Sequence, residues 1–163
     1  MLSRSCVHAI RAVVVLASLP PGAYCGTSAV ADTTGAPRNY LGKLLLQLSR
    51  RGLVESQKGL GGGFRLAKSP DKISLHDVVE SIEDVARWND CAFGGRDCNG
   101  DSPCPLHERW GAVRTAYLSL LRNTSVAELV VSDALAQLPS MEDALPHLTD
   151  EVSTQPTSSR RPQ

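Results

Sequence analysis

The run Gly59-Leu60-Gly61-Gly62-Gly63 constrains the fold more than any other feature of this chain. No helix continues through five residues of which four are glycine, and no side chain there can fill a core. The flanking segments, Leu53–Gln57 and Phe64–Ala67, have strand character, so the run predicts the tip of a two-stranded hairpin. Everything before it reads as helix.

Val7, Ile10, Val14 and Ala17 recur at steps of three and four, with Ser3 or Ser5 available as a cap. Pro20-Pro21-Gly22 stops that first helix. Thr27-Ser28 can cap a short second helix running through Thr34, and Gly35 supplies a turn. Pro37 suits the first position of a third helix, whose apolar face is Leu41, Leu44, Leu45 and Leu48. Small Ala31, then Gly35 four residues later, then leucines pointing inward, is the pattern of a helix-turn-helix. It places Ser28, Arg38, Asn39, Tyr40 and Lys43 toward a nucleic-acid groove. The hairpin then serves as a wing, with Lys58 and Arg65 as phosphate or minor-groove contacts.

Charge supports this division. Residues 1–72 carry ten Lys and Arg against three Asp and Glu, a net +7, and the remainder carries −7. A basic first half fits contact with nucleic acid. The glycines have a rival reading as a phosphate loop through Gly62, Lys68 and Ser69. That motif needs glycine where Ala67 stands and a helix where Pro70 follows, so nucleotide binding is set aside.

After the hairpin, Ser74 with Asp77 three residues later opens another helix. Residues 88–104 are polar and rich in Gly and Pro. Cys91, Cys98, Cys104 and His107 fall here in the spacing C-x6-C-x5-C-x2-H. Thiolates and an imidazole in such a loop suit a soft or borderline metal. The residues alone leave tetrahedral zinc and an iron–sulfur cluster both open. Five cysteines cannot all pair within one chain, and three of them cluster like ligands, which suggests a reducing, cytoplasmic setting. No apolar run is long enough to span a bilayer. From Pro105 a long helix carries Leu106, Trp110, Val113, Tyr117 and Leu120 at heptad-like steps, a seam suited to a homodimer. Ser125 and Glu128 cap a last short helix. No catalytic constellation stands out; Cys98 among charged neighbours is the one candidate reactive thiol.

Three segments together resemble a known family: Arg38-Asn39-Tyr40-Leu41, Gly52-Leu53-Val54, and Gly59 through Leu66. They look like the Rrf-type winged-helix transcriptional regulators, the IscR- and NsrR-like iron–sulfur repressors. The likeness continues through Ile73–Val79 and Cys104-Pro105-Leu106-His107. Leu60 replaces a proline common at the wing tip, and Gly42 replaces a charged residue common in the recognition helix.

The resemblance implies a mainly α fold: a winged helix-turn-helix with a small β-hairpin wing and a long C-terminal dimerisation helix. It divides the chain into a DNA-binding domain at 1–83, a cluster-binding loop at 84–107, a dimerisation helix with a short cap helix at 105–138, and a disordered tail at 139–163. It implies a repressor binding a double-stranded DNA operator and sensing iron, nitric oxide or redox state. The cluster, 2Fe–2S in preference to 4Fe–4S, would sit on Cys91, Cys98 and Cys104, with His107 the favoured fourth ligand. A zinc-stabilised or cluster-free winged-helix regulator is the alternative.

Overall fold

The computed structural model describes residues 2–59, 61–85 and 105–131. Ser3 opens the first helix, α1 (Arg4–Ala17), its hydroxyl accepting from the Cys6 N–H at 3.2 Å. Such a cap contributes about 1 kcal/mol. Cys6, Ala9, Ala12 and Val13 of α1 are fully inaccessible, so this helix is central rather than peripheral. Its small residues let neighbours approach closely on several sides. The periodicity of Val7, Ile10, Val14 and Ala17 marks only part of that surface, and Val7 and Ala17 are half-buried.

α2 (Thr27–Thr34) starts after Gly26, with no side-chain cap. Thr27 and Ser28 lie inside its first turn rather than at the cap position expected for them. Gly35 ends it with φ +68°, the left-handed conformation that lets the chain reverse. Pro37 stands just before α3 (Arg38–Arg50), and Leu41, Leu45 and Leu48 of that helix are completely buried. Truncating any of them to alanine would cost about 2–5 kcal/mol.

The predicted hairpin is present. β1 (Val54–Gln57) pairs antiparallel with β2 (Gly63–Leu66), so that Glu55 faces Arg65 and Ser56 faces Phe64. A further partner comes from the α1–α2 connection. Cys25 and Phe64 exchange both main-chain hydrogen bonds at 2.9 Å, so the wing is anchored to the body at its second strand.

A short 3-10 turn at Pro70–Lys72 leads to α4 (Leu75–Ile82), which carries the expected capping box between Ser74 and Asp77. α5 (His107–Asn123) follows, then α6 (Val126–Val131). The long helix starts at His107 rather than Pro105 because Pro105 and Leu106 form the turn that enters it. Main-chain bonds from Leu75 to Thr124 and from Val126 to Ile73, both 2.9 Å, fasten the α5–α6 turn to the start of α4. One core joins all these elements, with Val30, Leu45, Val54, Ile73, Val78 and Leu121 at its centre. The architecture is a mainly helical winged helix-turn-helix. Among the described residues no helix is long and apolar enough to cross a membrane. The cysteine loop, apart from its ends, and the tail expected at 139–163 lie outside the described residues.

Candidate nucleic-acid interface

α3 buries one side through its leucines, and 100° of rotation per residue puts Asn39, Lys43, Leu46 and Arg50 on the opposite side. Asn39, Lys43 and Arg50 are exposed, and Leu46 is 48% exposed. This side of α3 is open to a partner and carries two cations, Lys43 and Arg50. Ser28 is exposed in the first turn of α2.

Two of the cations expected to meet DNA are engaged within the chain. Arg38 pairs with Asp32 across the turn at 3.2 Å, with both side chains more than half exposed. An ion pair in that setting is worth at most about 1 kcal/mol, so a phosphate can compete for the arginine. Arg65 gives two hydrogen bonds to one Glu55 oxygen, at 2.9 and 2.8 Å, and its guanidinium lies 4.8 Å from the centre of the Tyr24 ring. Lys58 is exposed near the hairpin tip.

Tyr40 is half-buried. Its hydroxyl meets the Ser5 hydroxyl of α1 at 2.5 Å, and its ring stands edge-on to His8 with centroids 6.0 Å apart. Around this pair is an open hollow of about 440 Å³, also lined by Lys43, Gln47, Arg50 and Ile82. His8 is buried and its Nδ1 has no hydrogen-bond partner among the described residues. Burial, then the neighbouring Arg11 and Arg4, lower its pKa and keep the ring neutral.

Of the expected metal ligands, Cys91, Cys98 and Cys104 lie outside the described residues. His107 is the half-buried first residue of α5. Among the described residues no group of three or more His, Cys, Asp or Glu converges. The two other cysteines behave differently from ligands. Burial pushes the Cys6 thiol up to about 11, and the facing Glu83 carboxylate adds to the rise, so it stays protonated. Cys25 is half-buried, with its thiol 3.8 Å from the Gly26 carbonyl. The chain enters the cysteine stretch from a fixed point. Val85 is buried, and its N–H donates to the Glu80 carboxylate at 3.2 Å.

Sequence reasoning offered Ser5 only as a possible cap of α1 and assigned no role to Tyr24, Asp32 or Glu55. Glu55 alone left a signal, since a known hairpin register puts it opposite Arg65.

Residues 2–132 match the Rrf2 family, whose members are described as iron-dependent transcriptional regulators. The chain belongs to the Rrf2 family. It is therefore a DNA-binding transcriptional regulator and not an enzyme. It is 34% identical over 103 residues to a protein of Aquifex aeolicus named as an HTH-type transcriptional regulator, covering 62% of this chain and 72% of the relative. The fold matches CymR, the global cysteine regulator of B. subtilis, with a TM-score of 0.70 at 23% identity, over 81% of this chain and 97% of CymR. It also matches T. potens IscR, with a TM-score of 0.67 at 21% identity, over 85% and 92%. At these identities the structural likenesses establish the Rrf2 fold and nothing finer.

Proposed function

We propose that this Rrf2 protein is a cytoplasmic, homodimeric repressor that senses iron, nitric oxide or redox state through an iron–sulfur cluster. The observation that carries the DNA part is the exposed stripe of Asn39, Lys43 and Arg50 on α3, beside a wing carrying Lys58 and Arg65. With Ser28, Arg38 and Tyr40 these are the proposed DNA-facing residues. The donor set carries the sensing part. Three thiolates with one imidazole, Cys91, Cys98, Cys104 and His107, match the chemistry of a 2Fe–2S cluster, and a 4Fe–4S cluster is the second choice. Cys6, held protonated in the core, does not compete as a ligand. The cluster, when bound, supplies a redox- and nitric-oxide-reactive centre whose state alters the segment that holds it.

That segment connects α4 to α5. Leu106, in the turn that enters α5, and Val113 and Leu120 on the helix are 40%, 58% and 58% exposed and stand seven residues apart, one ridge along that side. A second copy covers that ridge in the proposed dimer. A change in the segment would re-aim α5 and so alter the separation of the two recognition helices. A dimer reads two half-sites only at one spacing.

Purification without air, with iron, sulfide and zinc analysis, tests the sensing reading. Brown protein with iron and sulfide, both lost in Cys98→Ala but kept in Cys6→Ala and Cys25→Ala, is the expected result. Colourless protein holding one zinc, or none, would leave the zinc-stabilised or cluster-free regulator as the answer.

A further inference from the structure

We propose that Ser5 of α1 is a positioning residue for DNA recognition, acting through Tyr40 of the recognition helix. The two hydroxyls meet at 2.5 Å although thirty-five residues separate them in the chain. His8, one turn after Ser5, meets the Tyr40 ring edge-on at 81° between planes. α1 therefore holds Tyr40 by its ring and by its hydroxyl together. Tyr40 lies in the first turn of α3, directly after Asn39 and three residues before Lys43, the outward residues proposed to reach the groove. A tyrosine free at that site would sample several rotamers. The contacts with Ser5 and His8 select one, and so fix the Tyr40 ring beside Asn39 and Lys43 on a helix whose leucines already hold it in the core. Ser5, Tyr40, Lys43, Gln47 and Arg50 line one continuous hollow, so the contact lies beside the basic stripe and not deep in the core.

The other side of α1 leads elsewhere. At 100° per residue, Ser5 and His8 are about 60° apart and share a face, while Cys6 is about 160° from His8. On that far side the Glu83 carboxylate faces the Cys6 thiol. Glu83 ends α4 two residues before Val85, where the chain leaves for the cysteine stretch. α1 thus touches α3 on one face and the residue that ends α4 on the other.

The proposal rests on the reading that α3 enters the groove. The test uses duplexes that the wild-type protein enriches from a random-sequence pool, against a scrambled duplex. Ser5→Ala and Tyr40→Phe each remove one hydroxyl and keep the packing. Each is expected to weaken binding to the enriched duplex about 3–10-fold, the loss typical of one hydrogen bond. In Ser5→Ala, which lies outside the DNA-facing set, affinity for the scrambled duplex and its salt slope should not change. The double variant should be no weaker than either single one, and Ser5→Thr, which restores a hydroxyl, should return to within about twofold of wild type. Additive losses would show two independent hydroxyls and overturn the proposal. So would unchanged affinity, or equal losses on both duplexes in Ser5→Ala. Failure of the wild-type protein to enrich any duplex would instead overturn the reading of α3, and the proposal with it.

Discussion

Arg65 reaches straight across the wing to Glu55, its antiparallel neighbour, and places two N–H donors on one carboxylate oxygen. Both side chains remain more than a third exposed, so the pair is worth under about 1 kcal/mol. A DNA phosphate must displace Glu55 to use this arginine fully. Glu55→Gln should therefore tighten binding to a scrambled duplex and steepen the slope of log affinity against log salt by about 0.9, the share of one phosphate. Mobility shifts at four salt concentrations measure it. An unchanged slope would show that Arg65 stays on the Tyr24 ring and meets no phosphate.

The two thiols outside the cysteine stretch should differ in reactivity. Cys6 is inaccessible and protonated at neutral pH, whereas Cys25 is half-buried. The thiolate is the reactive form. Iodoacetamide should label Cys25 in the native protein and Cys6 only after unfolding. Peptide mass mapping over a time course reads both. Equal rates in the native state would contradict the burial of Cys6.

His8 gives a pH dependence with a definite sign. Its folded pKa lies below the ordinary histidine value of about 6.5, burial being the largest cause and Arg11 and Arg4 adding to it. The facing group from α3 is Tyr40. Just below pH 6.5 the unfolded chain binds the proton that the folded one refuses, so stability rises with pH through that window and is lost as pH falls. Urea unfolding of wild type and His8→Phe between pH 5 and 8 should show the wild-type advantage shrinking on the acid side. A constant difference across that range would mean that His8 titrates as it does in water.

Two glycines make opposite predictions. A β-carbon on Gly63 would stand 2.3 Å from the Cys25 carbonyl oxygen, and the residue holds φ +149°. Gly63→Ala should cost about 3 kcal/mol. A β-carbon on Gly42 would meet only Thr27 Cγ2, at 3.7 Å, ordinary contact within a helix. Gly42→Ala should stabilise by about 0.5–1 kcal/mol. Thermal unfolding of the pair decides both.

Val113 is exposed on α5, so Val113→Asp should leave the fold of a single subunit intact. In a dimer sealed by the Leu106–Val113–Leu120 ridge it would place an unpaired charge in the contact. Light scattering should then report a monomer with unchanged circular dichroism. A Val113→Asp protein that stays dimeric would move the interface off this ridge.

Local signals were the legible ones. The Ser74–Asp77 box, the leucines of α3 and the glycines of the hairpin each act within a few residues, and each stands where expected. Element ends slipped by one or two residues where a cap came from the main chain, as at Gly26. The central burial of α1 was only partly visible because Cys6, Ala9 and Ala12 face its neighbours alongside the larger Ile10, Val13, Val14 and Leu16. The residues proposed to face DNA could be named from their types, but the restraints on them could not. Asp32 meets Arg38 across a turn, and Ser5 meets Tyr40 through the tertiary fold, so neither leaves a periodic trace.

The bridge between Cys25 and Phe64 changes what the wing is. Tied at 2.9 Å in both directions to the connection between α1 and α2, the hairpin is not a flap on a hinge. It and α3 form a jaw of preset gape, since α2 links that connection to α3. If a duplex enters it as proposed, the groove width must match that gape, and the bend and stiffness of the DNA then enter into what is selected.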